Sequence, residues 1–150
     1  MPAVQIERVT GASLDRLWRI VARYQDACAV QVRDDGASLA RAIEPPYRAL
    51  LATVDGRDAG CVLLRPLPSE VGACELKRLY VDPEQRGKGV ARALVESLLA
   101  DAAELGYGWV YLDTAADMTD AQALYERVGF RDCPPYNDNP QASRFMHLAL

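Results

Sequence analysis

Histidine and cysteine are scarce in this chain. His147 is the only histidine, and the four cysteines, Cys28, Cys61, Cys74 and Cys133, include no pair spaced C-x-x-C. That disfavours a Cys/His zinc site, and no metal is expected. The first residues, Met1-Pro2-Ala3-Val4-Gln5-Ile6-Glu7, lack the basic-then-apolar order of a secretory leader. Scattered cysteines in such a chain read as reduced, mostly buried thiols of a cytoplasmic protein. No apolar run reaches the roughly 20 residues that span a bilayer, so no membrane partner is expected. Positive charge is short as well. The net charge of -4 argues against a nonspecific nucleic-acid binder. Two catalytic signatures are missing: G-x-S-x-G, which leaves a hydrolase without its nucleophile, and G-x-x-x-x-G-K-[ST], which excludes a P-loop.

What is present is 150 residues, half of them hydrophobic and a quarter charged, which suits one domain over residues 1–150. Residues 4–9 alternate as a strand. Ser13 reads as the N-cap of a helix with Leu14, Leu17, Trp18 and Val21 on one face, and a weaker helix covers 37–43, stopped by Pro45-Pro46. Strands at 48–54 and 58–65 flank Asp55-Gly56, a hairpin signal. A strand at 73–81 leads into the longest helix, 87–105, with Val90, Ala91, Leu94, Val95, Leu98, Leu99 and Ala102 as its stripe. An apolar strand at 109–114 then forms a β-α-β unit with 73–81. A helix carrying Ala121, Leu124, Tyr125 and Val128 ends at Gly129, and strands at 130–133 and 144–150 complete the sheet. The fold class is α+β: a mixed, mostly antiparallel sheet with a central parallel crossover, flanked by helices.

One element stands out chemically. Arg86-Gly87-Lys88-Gly89-Val90-Ala91 joins the 73–81 strand to the long helix, and two glycines let the backbone approach a ligand there. The helix N-terminus offers free N–H groups and a positive dipole end, which favour phosphate. From residue 77 to 92 there are five basic residues (Lys77, Arg78, Arg86, Lys88, Arg92) against two acids (Asp82, Glu84). A dinucleotide fingerprint fails because Arg92 stands where the third glycine belongs.

The segment resembles the GNAT superfamily of acyl-CoA-dependent N-acetyltransferases, whose pyrophosphate signature R/Q-x-x-G-x-G/A is met by residues 86–91. The preceding Leu79-Tyr80-Val81-Asp82-Pro83 is also similar to that family, as is Ala121-x-x-Leu124-Tyr125-x-x-x-Gly129-Phe130 further on. One departure is Met118, where many relatives carry asparagine. The resemblance implies a GNAT-type sheet and acetyl-CoA as acyl donor. It places the cofactor on Leu79, Tyr80, Val81, Arg86, Gly87, Lys88, Gly89, Val90, Ala91, Arg92 and Tyr125.

Acetylating an amine requires removing its proton (pKa of roughly 10.4 for a lysine-like amine), donors for the oxyanion and a partner for the leaving thiolate. The resemblance supplies expectations for each. Backbone N–H groups at the end of the 73–81 strand would be the donors, Val81 first and Leu79 second. A bulge would free the donor. Tyr125 is the expected acid, against a plain core aromatic. Glu75 is the expected base through water, on the same side as Leu79 and Val81 if the alternation holds; the alternative is a surface carboxylate paired with Lys77 or a neighbouring strand. The loop 134–140 is expected near the acceptor, where Tyr136 and Asp138 would hold an ammonium, as would Asp34 or Asp35; simple turn chemistry is the competing reading. His147 reads as a structural strand residue, and Cys74, beside Glu75, lacks an activating base. The acceptor is expected to be a small amine or amino acid, and a homodimer is allowed. The alternatives are another acyl group or a non-catalytic acyl-CoA-binding subunit.

Overall fold

The computed structural model describes residues 3–27 and 33–150, so Cys28 lies outside the described residues. Seven strands form one sheet in the order β1-β2-β3-β4-β5-β7-β6, with β1 at Val4–Arg8, β2 at Arg48–Val54, β3 at Arg57–Pro66, β4 at Ala73–Val81, β5 at Trp109–Thr114, β6 at Arg131–Asp132 and β7 at Arg144–Ala149. Every neighbouring pair is antiparallel except β4–β5, the expected crossover. The β2–β3 hairpin turns through Asp55 and Gly56 at φ 49° and 80°.

Helices cover both faces of the sheet. The longest, α3 (Val90–Glu104), starts three residues later than the sequence predicts because residues 87–89 form the turn; it buries Val90, Leu94, Val95, Leu98 and Ala102. Together with α4 (Thr119–Val128) it closes one core, which includes Val62, Leu64, Val110, Leu112 and Met146. On the opposite face α1 (Leu14–Ala27) and α2 (Gly36–Ala42) cover a second core of Leu17, Ile20, Val21, Leu39, Leu51 and Leu63. Burying a leucine of this kind contributes roughly 1.5–3 kcal/mol.

Three local expectations are corrected. Ser13 is not an N-cap: its Oγ accepts from the Thr10 N–H at 3.0 Å, closing a 3-10 turn over Gly11–Ser13 ahead of α1. Trp18 is exposed, and Ile20 takes the buried position instead. The strand expected at 130–133 is reduced to Arg131–Asp132, an edge strand outside β7.

The fourth correction concerns β4. Cys61 pairs with Tyr80 but Leu63 pairs with Lys77, so two residues of β4 oppose one of β3. Arg78 occupies this bulge at φ 57°, a left-handed conformation that costs an arginine roughly 1–2 kcal/mol. The bulge reverses the alternation. Cys74 and Leu76 belong to the α3 core, and Leu79 and Val81 also pack against it, whereas Tyr80 turns to the α1 core and meets the Tyr24 ring edge-on at 5.5 Å. Glu75, lying between Cys74 and Leu76, therefore faces away from Leu79 and Val81 rather than sharing their side. Just beyond the bulge Gly60 pairs with Val81 and lets the strands approach closely, since a Cβ there would stand 2.4 Å from the Tyr80 carbonyl oxygen.

Candidate active site

Pairing between β4 and β5 runs only over Ala73–Trp109, Cys74–Val110 and Glu75–Tyr111. Beyond Glu75 the two parallel strands separate, so the β5-facing edge of β4 goes unpaired. The cleft opens into a cavity of about 640 Å³, with Leu79 and Arg86 on one side and Thr114, Met118 and Tyr125 on the other. Directly after Arg86, Gly87 and Gly89 sit at φ 78° and 81°, and α3 begins immediately after them. The space around both is open, so glycine is required there by backbone conformation rather than by crowding. The backbone N–H groups of residues 87–92 have no backbone acceptor among the described residues; the first helical bond is Ala93 N–H to Gly89 O, 3.1 Å. Lys88 Nζ leans on Gln85 Oε1 at 2.9 Å and Arg92 pairs with Glu96 at 2.5 Å. A row of free amides beside an arginine suits a pyrophosphate, and an unpaired strand edge suits an extended amide arm. The residues present fit CoA.

Tyr125 reaches this cavity from α4, although it is only 5% exposed. Its ring packs edge-on against Phe130, centroids 5.7 Å apart, which is why a core aromatic and a cavity-facing hydroxyl coexist in one residue. Burial, then the neighbouring Tyr24 and Asp113, pushes its pKa up, so the hydroxyl stays protonated and can act as a donor.

A polar network forms the other half of the site. Glu75 is fully buried. Its Oε1 accepts from Arg65 Nε at 2.6 Å, and its Oε2 accepts from the Tyr136 hydroxyl at 2.5 Å and lies 3.2 Å from Lys77 Nζ. Lys77 continues to Asp113 Oδ2 at 2.9 Å, and Asp113 also accepts from Asn137 Nδ2 at 2.7 Å and Asn139 Nδ2 at 3.4 Å. Glu75 itself does not line the cavity; of its partners, Arg65 and Lys77 do and Tyr136 does not. Tyr136 is held edge-on between Tyr111 and Phe145, and burial followed by the Glu75 charge pushes its pKa up.

The expected acceptor residues are distributed unevenly. The 134–140 loop does border the cavity, through Asn137, Asn139 and Pro140, but Tyr136 and Asp138 are not in the lining. Asp34 ion-pairs with Arg78 Nε at 2.8 Å, and Asp35 caps α2 by accepting from Ser38 N–H at 2.8 Å. Cys74 is buried, donates to the Trp109 carbonyl at 3.7 Å and has its thiol pKa pushed up to about 12 by burial. His147 sits in β7 against Trp109, centroids 4.7 Å apart, and takes no part in the cavity. Arg65 and Asp113 were not anticipated, and Arg78 was read only as part of the basic cluster near the glycine turn, whereas it pairs with Asp34. For Asp113 the one local signal was an acid inside an otherwise apolar strand; for the placement of Arg78 there was none, since the bulge is set by β3.

Comparison with known proteins agrees with this geometry. The profile of the Acetyltransferase (GNAT) family matches residues 14–130. An uncharacterised N-acetyltransferase of Schizosaccharomyces pombe is 38% identical over 111 residues, covering 73% of this chain and 68% of that protein. Two further curated relatives, from Dictyostelium discoideum and Escherichia coli, are matched over 36% and 53% of their own lengths. Among solved structures, a GNAT acetyltransferase from Staphylococcus aureus superposes with a TM-score of 0.82 at 18% identity, over 98% of this chain and 99% of that one. The PaiA N-acetyltransferase of Thermoplasma acidophilum, solved in complex with coenzyme A, gives 0.79 at 16% identity over 99% of each chain. These structures share the fold, and with the family match they assign the chain: it belongs to the acetyltransferase (GNAT) family and is an acyl-CoA-dependent acetyltransferase.

Proposed function

We propose that residues 1–150 act as one transferase domain that moves the acetyl group of acetyl-CoA directly to the primary amine of a small molecule or amino acid, with both substrates held together. The observation that carries this reading is the continuity of the cleft. The free amides at 87–92 follow directly on Arg86, which lines the same cavity as Tyr125 and the polar residues Lys77, Asp113 and Asn137, beside the unpaired edge of β4.

Acetyl-CoA would supply an activated thioester. Arg86, Lys88 and the amides of residues 87–92 would hold its phosphates, and Leu79, Tyr80 and Val81 would pair with its arm. The N–H groups of Val81 or Leu79 would stabilise negative charge on the carbonyl oxygen. Tyr125, kept protonated by burial, donates a hydrogen bond to the departing sulfur. Its raised pKa makes it a donor to that sulfur more than a source of a full proton. Glu75 remains the proposed base, reached by relay: Tyr136 already donates to its Oε2, and since Tyr136 lies behind the lining, a water entering from the cavity would hand the phenol a proton as it passes its own inward. Met118 stands at the cavity where many relatives carry asparagine and offers no side-chain amide, so any bond that asparagine makes would fall here to backbone or water. The same reading keeps the protein in the cytoplasm and allows a homodimer; among the described residues no helix is long and apolar enough to cross a membrane.

Isothermal titration with acetyl-CoA, followed by thiol release across an amine panel, tests the proposal. Binding by the native protein that Gly89→Glu abolishes, together with turnover of at least one amine, is the expected result. Binding without turnover of any amine would leave an acyl-CoA-binding subunit instead.

A further inference from the structure

We propose that the acceptor is an amine that also bears a carboxylate, an α-amino acid or a close relative, and that Arg78 and Arg65 recognise that carboxylate. The inference rests on the acetyltransferase reading and narrows its substrate class.

Two acids beside this part of the cavity are fully engaged, Glu75 behind the lining and Asp113 within it, while Asp117 also lines the cavity and is exposed. Each Glu75 oxygen has a partner, and Glu75 is fully buried; Asp113 has both oxygens engaged, with a side chain 7% exposed. Lys77 is likewise committed, bridging those two carboxylates. The cations that face the cavity are differently arranged. Arg78 is held to Asp34, and Arg65 to Glu75, through Nε alone. In both cases the two terminal nitrogens have no acceptor among the described residues, and both residues line the cavity. A guanidinium anchored at Nε still presents its outer nitrogens, which match the geometry of a carboxylate. A carboxylate is the ligand such a pair would discriminate.

Backbone geometry points the same way. Arg78 holds a left-handed conformation inside a strand, and bulges of this kind re-aim a side chain. Strain maintained at a cavity-lining residue fits a recognition role. A purely cationic acceptor such as a diamine would instead bring like charge to Arg65 and Arg78, so the inference reverses the ammonium role expected for Tyr136 and Asp138, which lie outside the lining.

The test compares α-amino acids with their own carboxamides, which keep the amine and remove the negative charge. Thiol release should favour the acids by roughly 10- to 100-fold in kcat/KM, the range of a charge-assisted bond. Arg78→Met and Arg65→Met should each erode that preference, while isothermal titration shows acetyl-CoA affinity unchanged. Arg78→Lys should restore it only in part, because a point charge lacks the fork. Amides or diamines acetylated as well as the acids would overturn this inference and leave the acetyltransferase reading standing. No turnover of any amine would overturn both. An unaltered preference in both methionine variants would show that these arginines do not read the carboxylate.

Discussion

The Tyr136 hydroxyl donates to Glu75 Oε2 at 2.5 Å, joining the loop before β7 to the middle of β4 across 61 positions of sequence. The bond gives a buried carboxylate a neutral donor in addition to its two cations, and it anchors the loop that borders the acceptor chamber. Unpaired burial of that charge would be costly, so the bond is structural whatever else it does.

Separating structure from chemistry here takes two substitutions. Tyr136→Phe removes the donor and should destabilise the fold by about 1–3 kcal/mol. If Tyr136 and Glu75 relay the amine proton, Tyr136→Phe and Glu75→Gln should each lower kcat by roughly 10² or more and flatten the acidic limb of the pH–rate profile. Melting curves and pH profiles on the same samples check this. A loss of melting temperature with an unchanged pH profile would confine the pair to scaffolding.

Tyr125→Phe should cut kcat by roughly 10²-fold or more and leave acetyl-CoA affinity close to native, since the ring and its contact with Phe130 remain. Titration calorimetry and steady-state kinetics distinguish the two parameters. The pH sign follows from burial. The folded-state pKa lies above the unfolded value of roughly 10, so this contribution to stability is fully present below pH 10 and is lost as pH rises through the higher folded value. Native protein should therefore lose melting temperature above about pH 10, and Tyr125→Phe should lose less.

Gly60→Ala should be among the most damaging single-methyl additions. The new Cβ would meet the Tyr80 carbonyl oxygen at 2.4 Å, a backbone atom that cannot swing away. A cost of about 2 kcal/mol or more is expected, or roughly 4–8 °C in a domain of this size. Because Gly60 pairs with Val81, just beyond the bulge that places Arg78, any surviving protein should also show weakened acceptor recognition, measured as a raised acceptor KM.

Cysteine chemistry offers an independent check on burial. The Cys61 and Cys74 thiols are both pushed up to about 12 by burial, and Cys61 also donates to the Arg78 carbonyl at 3.4 Å. At pH 8 both should resist alkylation in the folded protein, while the partly exposed Cys133 is modified. Peptide mapping by mass spectrometry, with and without denaturant, reads this directly. Rapid native alkylation of Cys74 would reopen a covalent acetyl-cysteine route.

Much of the architecture was legible in the amino-acid order because its signals are local. The limits of β2, β4 and β5 coincide with the predicted strands, since each is an apolar run between turn or proline signals. The glycine turn at 86–91 was readable because it needs only two glycines and the start of a helix, all within a few residues. Tyr125 was readable only through its motif, since periodicity alone marks it as core, and it is in fact both buried and at the cavity.

What the sequence by itself determined was therefore the set of elements, their order and the glycine-rich turn ahead of α3, each specified by neighbours within about one helical turn or one hairpin. What only the tertiary structure decided was which way β4 faces after Lys77. The register slip against β3 inverts the alternation, points Glu75 away from Leu79 and Val81, and brings Arg78 to the cavity. Pairing register depends on residues distant in the chain, and a one-residue slip moves every later side chain to the opposite face. The acceptor half of the site was assembled at that level, which is why local pattern alone did not reveal it.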